Sequence, residues 1–224
     1  MIRNFTKFCC YVLPILWWSC APSRVVKPLE KGEKTASVNL GGPLIHFAGT
    51  AIPVPLTSVM FAKGVTNKTT AFGSLHLTSL AFGVFQTDIG VCTQLYKNDS
   101  KKFGITANPV LNLSIDRWEW KGKIWPELDI NAYKQFGTNH FVYAGLTNWF
   151  EPSGVRPHNE TQTQRLFVNP QLGYTLMRKH WNYTLEVKWL APNRQNIPNV
   201  VDYIGINHKG AVGVYLNFTK KLKS

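Results

Sequence analysis

Three side chains in the first half of the sequence have the chemistry of a hydrolytic site. Ser74 and His76 lie two residues apart, which places them on one face of an extended strand. A tight turn near Gly83 would then bring Asp88 beside His76 across a hairpin. A serine nucleophile, a histidine base and a carboxylate that orients the histidine are the parts of a nucleophilic hydrolase. The protein could therefore be a lipid hydrolase or acyltransferase.

The sequence around Ser74 argues against that enzymatic interpretation. No nucleophile-elbow motif of the form G-x-S-x-G surrounds this serine. The pairing of His76 with Asp88 also depends entirely on the turn at Gly83. We therefore expect a protein that is not an enzyme, and keep catalysis by Ser74, His76 and Asp88 as the alternative.

A second group of charged side chains recurs at alternate positions. In the segment 124–136, Glu127 and Asp129 alternate with apolar residues and so share one face of a strand. If the apolar faces meet lipid, the polar faces fill the interior of a barrel. Six charged residues are predicted to form a polar network that closes this lumen: Asp88, Asp116, Glu127, Asp129, Glu186 and Lys188. The alternative is a lumen that binds a cation or a small polar solute.

Ten segments of the sequence are predicted to be strands. They cover 36–47, 53–64, 70–82, 84–96, 103–117, 124–136, 140–150, 165–178, 181–191 and 208–220. Segments of about ten alternating residues are what a tilted strand needs to cross a bilayer. The predicted fold is an all-β, transmembrane, antiparallel up-and-down β-barrel of about ten strands, with eight strands as an alternative. A soluble sandwich with one wet face would show the same alternation.

Loop lengths favour the barrel over the sandwich. If the chain starts in the periplasm and the strands alternate in direction, the two longest connections, 151–164 and 192–207, both fall on the outer side. Both chain termini then lie in the periplasm, and the long loops form an exposed contact surface. Five aromatic residues near the outer strand ends are predicted to form an interfacial girdle: Trp118, Trp120, Trp125, Trp149 and Phe150.

The charge composition limits the possible partners. The formal net charge is +13, but the Lys and Arg residues lie mostly in turns and at strand ends rather than on one patch or helix. Attraction to the anionic headgroups of membrane lipids explains this placement, and nucleic-acid binding is not expected. The histidines show no metal-ligand spacing, so neither a metal nor a cofactor is predicted.

Residues 1–19 are predicted to be a lipoprotein signal peptide. Arg3 and Lys7 precede the apolar stretch 8–18, which is too short to span a bilayer comfortably. Cys20 is predicted to carry palmitate-type acyl chains as the mature N-terminus; a plain secretory signal cleaved nearby is the alternative. Residues 20–34 are polar, contain prolines and are predicted to be a flexible tether, followed by the barrel over 35–222.

Several segments of the sequence carry a family resemblance. With the signal that ends at Cys20 and the polar tether, the segments 39–45, 85–91 and 181–186 resemble small outer-membrane β-barrel lipoproteins of Bacteroidetes-type bacteria, a largely uncharacterised group. The resemblance implies the fold and an outer-membrane location, but no activity. The C-terminus departs from outer-membrane proteins that end on an aromatic residue, because Phe218 is followed by Thr-Lys-Lys-Leu-Lys-Ser.

The expected role is that of a structural or accessory subunit of an outer-membrane complex. Such a subunit would contact outer-membrane lipids and a protein partner, through its apolar wall, its tether or its long loops. The alternatives are a lipid-modifying hydrolase or acyltransferase and a small solute-binding pore.

Overall fold

The computed structural model describes residues 22–155, 161–196 and 201–222, which form eleven strands and one short helix. The elements are β1 Lys34–Phe47, β2 Thr50–Pro53, β3 Thr57–Thr66, β4 Thr69–His76, α1 Leu77–Ala81, β5 Val84–Asn98, β6 Phe103–Asp116, β7 Gly122–Phe136, β8 His140–Phe150, β9 Leu166–Met177, β10 Trp181–Gln195 and β11 Lys209–Leu222. None of the described residues belong to a helix that could span a bilayer.

Ten of the strands close into a barrel. Each strand from β3 to β11 pairs antiparallel with the next, and β1 pairs with both β3 and β11. The closing seam runs from Lys34 opposite Leu222 to Pro43 opposite Gly213. The predicted ten-stranded antiparallel up-and-down barrel is confirmed. Strand β2 is an addition that pairs with residues 44–47 of β1, past the seam.

The barrel has an apolar exterior and a polar interior. On β7, the outward side chains of Ile124 and Ile130 are 52% and 41% exposed, whereas the inward Glu127 and Asp129 are 5% and 2% exposed. The outward Leu172 of β9 is 63% exposed, as is typical of a lipid-facing position. A closed sheet with its polar face inside excludes the soluble sandwich.

The connections at the two ends of the barrel differ in length. One end, called the turn end, carries the connections 67–68, 99–102, 137–139 and 178–180. The opposite end, called the loop end, carries α1 and the connections 117–121, 151–165 and 196–208. The two longest loops share the loop end, as predicted, although their residues 156–160 and 197–200 lie outside the described part of the chain.

Aromatic side chains inside the barrel pack over glycines of neighbouring strands. Tyr143 lies directly opposite Gly173, and Tyr133 lies opposite Gly104. A methyl group added at Gly173 would overlap the ring of Tyr143, and one at Gly104 would lie 2.5 Å from the ring of Tyr133. The glycines therefore make room for the rings inside a narrow barrel.

Two of the five residues predicted for the outer aromatic girdle face the lumen instead. Trp118 and Trp120 are 57% and 78% exposed at the loop end, but Trp125 is 4% exposed. The indole nitrogen of Trp125 donates to Glu151, and its ring meets that of Trp149 edge-on at 5.9 Å. The prediction for Trp125 and Trp149 was wrong because it considered only how close these residues lie to the ends of β7 and β8. Odd-numbered residues of both strands point into the lumen.

The segment predicted to be a flexible tether runs inside the barrel. Ser23, Arg24 and Val26 are 1%, 8% and 6% exposed. The tether prediction was wrong for the described residues 22–33, because a polar sequence without periodicity is equally compatible with an extended segment inside a barrel. A segment surrounded by wall on all sides needs no alternation between a wet and a dry face. Cys20 and the predicted signal peptide lie outside the described residues.

Candidate functional site

The segment 22–33, called the plug segment, enters the lumen at the turn end. The backbone nitrogen of Gly32 donates to Gly64 O at 2.9 Å, near the end of β3. The backbone nitrogen of Leu29 donates to Thr70 Oγ1 at 2.7 Å, at the start of β4. These bonds attach residues 29–32 of the plug segment to the strands on either side of the β3–β4 turn.

Farther inside, side chains of β6 hydrogen-bond the backbone of the plug segment. Thr106 Oγ1 donates to Val26 O at 2.9 Å, and Asn108 Nδ2 donates to Val25 O at 2.7 Å. Both wall side chains are completely buried. Buried carbonyl groups need such partners, and an extended segment cannot supply them to itself. Side chains of the wall therefore satisfy backbone carbonyl groups of the plug segment, which in a sheet would be bonded by the backbone of a neighbouring strand.

Apolar side chains of the plug segment complete two hydrophobic clusters in the lumen. Val25 and Leu29 pack against the first cluster, which consists of Met60, Ala62, Phe72, Cys92 and Val110. Val26 belongs to the second cluster, together with Tyr133, Phe141 and Tyr143. The part of the lumen nearer the turn end is therefore packed with apolar as well as polar groups.

The guanidinium group of Arg24 lies among three carboxylates in the middle of the lumen. Its Nη1 is 2.7 Å from Glu127 Oε2 and 3.3 Å from Asp129 Oδ2, and its Nη2 is 3.4 Å from Asp88 Oδ2. All four side chains are at most 3% exposed. Charges buried this deeply must be paired, because an isolated charge loses its hydration without compensation. Arg24 therefore ties the plug segment to β5 and β7.

Asp88 also accepts hydrogen bonds from side chains of the wall. Ser74 Oγ donates to Asp88 Oδ2 at 3.0 Å, and His76 Nε2 lies 3.2 Å from the same oxygen. Asn112 Nδ2 donates to Asp88 Oδ1 at 2.5 Å. The structure thus brings Ser74, His76 and Asp88 together across the β4–β5 connection, with Asp88 at the centre.

The order of these contacts differs from that of a hydrolase. The hydroxyl of Ser74 has one hydrogen, and it donates this hydrogen to Asp88. A histidine base would have to accept that hydrogen, with the carboxylate on the far side of the imidazole. Arg24 also lies against Asp88, at 3.4 Å. Ser74 and His76 therefore form a hydrogen-bonded group around a buried carboxylate.

Glu186 and Lys188 form a second polar group around the first described residues of the plug segment. Glu186 Oε1 accepts a hydrogen bond from Ser23 Oγ at 2.8 Å and lies 3.3 Å from Lys188 Nζ. Glu186 Oε2 accepts one from the hydroxyl of Tyr143 at 2.5 Å. Lys188 Nζ donates to Pro22 O at 3.4 Å. This group attaches the plug segment to β8 and β10.

Asp116 belongs to neither polar group. It ends β6, and its Oδ1 accepts hydrogen bonds from the backbone nitrogens of Trp118 at 2.7 Å and Glu119 at 3.0 Å. The prediction that Asp116 joins the lumen network is therefore corrected, because at a strand end the nearest free donors are those of the turn. The other predicted members do lie in the lumen: Asp88, Glu127, Asp129, Glu186 and Lys188.

The lumen residues that sequence reasoning missed belong to the plug segment, above all Arg24. The predicted lumen held five carboxylates and one cation, Lys188. Buried carboxylates in such excess favour the presence of a further cation, because each must be paired, hydrogen-bonded or protonated. Charge balance was therefore the signal that could have pointed to Arg24.

A cavity of about 70 Å³ remains in the lumen toward the loop end. Pro22 lies at one side of it, and His76, Gln86 and Tyr215 contribute polar groups to its lining. Within the described ranges, no three or more His, Cys, Asp or Glu side chains are grouped so that they could hold a metal ion.

Solved structures of bacterial barrels resemble this chain in fold. The translocator domain of the autotransporter NalP from Neisseria meningitidis covers 99% of this chain and 96% of its own length, with a TM-score of 0.45 and 7% identity. The outer membrane protein OprG from Pseudomonas aeruginosa covers 89% of this chain and 100% of its own, with a TM-score of 0.28 and 10% identity.

The fold of this chain is a closed, ten-stranded antiparallel β-barrel. The porin NanC is a further similar structure, with a TM-score of 0.44 and 7% identity over 86% of this chain and 100% of its own. Identities this low concern the fold alone. No protein-family model and no curated protein matches the sequence.

Proposed function

We propose that the protein is a non-enzymatic outer-membrane lipoprotein, anchored through Cys20, that serves as a structural or accessory subunit of an outer-membrane complex. The Arg24 cluster carries the proposal, because it closes the middle of the lumen with the protein's own chain. A barrel occupied in this way offers its wall and its two ends, rather than its lumen, to other molecules.

A solute pore has less support, because a pore needs a continuous water-filled path. Arg24 bonds to β5 and β7, and the adjacent Ser23 bonds to Glu186 on β10, so the plug segment reaches opposite walls. The cavity of about 70 Å³ beyond it has room for only a few water molecules.

A lipid hydrolase also has less support, because Ser74 is not accessible to lipid. Ser74 faces the lumen and is 7% exposed, whereas acyl chains cover the outside of the wall. Its hydroxyl and the imidazole of His76 are both engaged with Asp88. A lipid substrate would have to enter the lumen and break this group.

We propose that the loop end is the surface that meets the partner. The hairpin of β1 and β2 is held against the last long loop by His46 Nδ1, which lies 2.7 Å from Asp202 Oδ2, and by a β-bridge between Ile45 and Tyr203. Exposed aromatic side chains such as Trp120 lie at the same end. A surface that presents large aromatic groups suits protein recognition.

Co-purification tests the proposed role as a subunit. The tagged protein, isolated from its native membrane in mild detergent, should bring a stoichiometric companion protein with it. The variant Trp120→Ala should weaken that association, and the matched variant Thr138→Ala at the turn end should leave it intact. Recovery of the chain alone would contradict the proposal.

Conductance in planar bilayers tests closure of the lumen. The wild-type protein should not conduct. The variant Arg24→Glu adds a fourth carboxylate to the cluster of Asp88, Glu127 and Asp129, so it should displace the plug segment and give cation-selective openings. Lys27→Glu is the matched control, because Lys27 bonds the neutral Gln135 near the turn end and its reversal should leave the lumen closed. Conduction by the wild type would contradict closure.

A further inference from the structure

The plug segment runs in one direction, away from the turn end. At the end of the plug segment that joins β1, the backbone nitrogen of Lys31 donates to the side-chain oxygen of Asn67, in the β3–β4 turn, at 3.1 Å. Farther back in the sequence, Val25 O accepts a hydrogen bond from Asn108, in the interior of β6. Each contact toward lower residue numbers therefore lies deeper in the barrel.

Pro22, the first described residue, lies nearest to the loop end on this path. Its carbonyl oxygen accepts a hydrogen bond from Lys188 Nζ at 3.4 Å. Pro22 also lines the cavity on the loop-end side of the lumen, together with Val54 and Tyr203, which belong to connections of the loop end. At Pro22 the plug segment therefore faces the loop end.

The way back to the turn end is blocked. The plug segment itself occupies that part of the lumen, and the wall is one continuous hydrogen-bonded sheet. The fit is tight, since a methyl group added at Gly64 would overlap the carbonyl oxygen of Glu30. A second pass of chain beside the first would have to displace these packed groups.

We infer that the barrel presents the chain upstream of Pro22 at its loop end, together with any acyl group on Cys20. With the orientation of the proposed function, on which this step rests, the loop end faces outward and the lipid enters the outer leaflet. This reverses the prediction of a periplasmic N-terminus. The end of β11 stays at the turn end, because Leu222 pairs with Lys34.

Labelling of introduced cysteines in the full chain tests the inference. Ala21→Cys reports on the N-terminus, Glu119→Cys on the loop end and Thr138→Cys on the turn end. The native Cys92 is completely buried, and labelling of the wild-type chain, which also has Cys9, Cys10 and Cys20, gives the background to be subtracted. A membrane-impermeant maleimide is applied to intact and to lysed cells. We expect Ala21→Cys and Glu119→Cys to react in intact cells, and Thr138→Cys to react only after lysis.

The outcomes separate the inference from the proposed orientation. If Ala21→Cys reacts only under the conditions that expose Thr138→Cys, the inference is overturned. If Ala21→Cys and Glu119→Cys both need lysis while Thr138→Cys does not, the inference stands and the orientation fails. A short flexible epitope inserted after Cys20 and detected by antibody gives a second measurement in case position 21 is shielded. The inference is overturned if the epitope is detected only under the conditions in which Thr138→Cys reacts, or if it is detected neither in intact nor in lysed cells.

Discussion

The guanidinium nitrogen Nη1 of Arg24 lies 2.7 Å from Oε2 of Glu127, and both side chains are almost completely shielded from water. Arg24 belongs to the segment that precedes the barrel in the sequence, and Glu127 belongs to its wall. The stability of the barrel and the closure of its lumen therefore depend on the same ion pair.

Arg24→Ala should lower the free energy of unfolding by about 3–5 kcal/mol, because it leaves the buried carboxylates without their cation. Urea unfolding in detergent micelles, followed by the mobility shift between folded and unfolded barrel, measures this change. The control is Arg117→Ala, since Arg117 stacks at 4.1 Å on the exposed ring of Trp118 at the loop end. That exposed contact contributes only about 0.5–1 kcal/mol. Equal losses in the two variants would show that the buried cluster is not a major source of stability.

Ser74→Ala should affect stability and not catalysis. It removes the hydrogen bond to Asp88 and should cost about 1.5–3 kcal/mol, as is usual for a bond to a charged group. Ser100→Ala is the matched control, because Ser100 bonds Asn98 at an exposed turn. Release of fatty acid from phospholipid vesicles should be absent in wild type and variants. Hydrolysis that disappears with both Ser74→Ala and His76→Ala would favour the enzymatic alternative.

Gly173→Ala should lower the free energy of unfolding by about 1–3 kcal/mol, because the added methyl overlaps the ring of Tyr143. Gly73→Ala is the control, since the nearest atom to its added methyl is Asp88 O at 3.6 Å, an ordinary contact. Thermal unfolding of the two variants in the same detergent gives the comparison. A similar midpoint for both would mean that the ring of Tyr143 moves aside freely.

Leu172→Arg should destabilise the barrel in lipid bilayers by about 2–4 kcal/mol, the usual cost of a cation facing the centre of a membrane. Leu172 is 63% exposed and lies opposite Ala144 and Val187 in the middle of the wall. Thr138→Arg, in a turn, should be nearly neutral. The measurement is unfolding of barrels reconstituted in vesicles. A Leu172→Arg variant as stable as Thr138→Arg would place this part of the wall outside the bilayer.

The strands and their two faces could be predicted because a β-strand alternates with a period of two. Along β7, Ile124 and Ile130 fall on one side and Glu127 and Asp129 on the other, and the structure places them outside and inside the barrel. The strand predicted over 70–82 was too long, because β4 ends at His76 and α1 follows it at the loop end. The alternation of apolar and polar residues does not by itself show at which residue a strand ends.

The centre of the candidate site could not be predicted in the same way. Arg24 meets Asp88, Glu127 and Asp129 through the closure of the barrel, and no local pattern brings these distant positions together. The plug segment is extended and takes its hydrogen bonds from the wall, so its sequence has no period to detect. Asp116 shares the inward phase of its strand, yet its carboxylate binds the turn.

Strand β1 starts directly after the plug segment and pairs with β3 on one side and β11 on the other. The plug segment takes its partners from β5, β6, β7 and β10, strands that surround the lumen and lie far apart in the sequence. These groups enclose one space only when the sheet has closed through the pairing of β1 with β11. The binding site of the plug segment is therefore a product of barrel closure, and burial of Arg24 reports that the fold is complete.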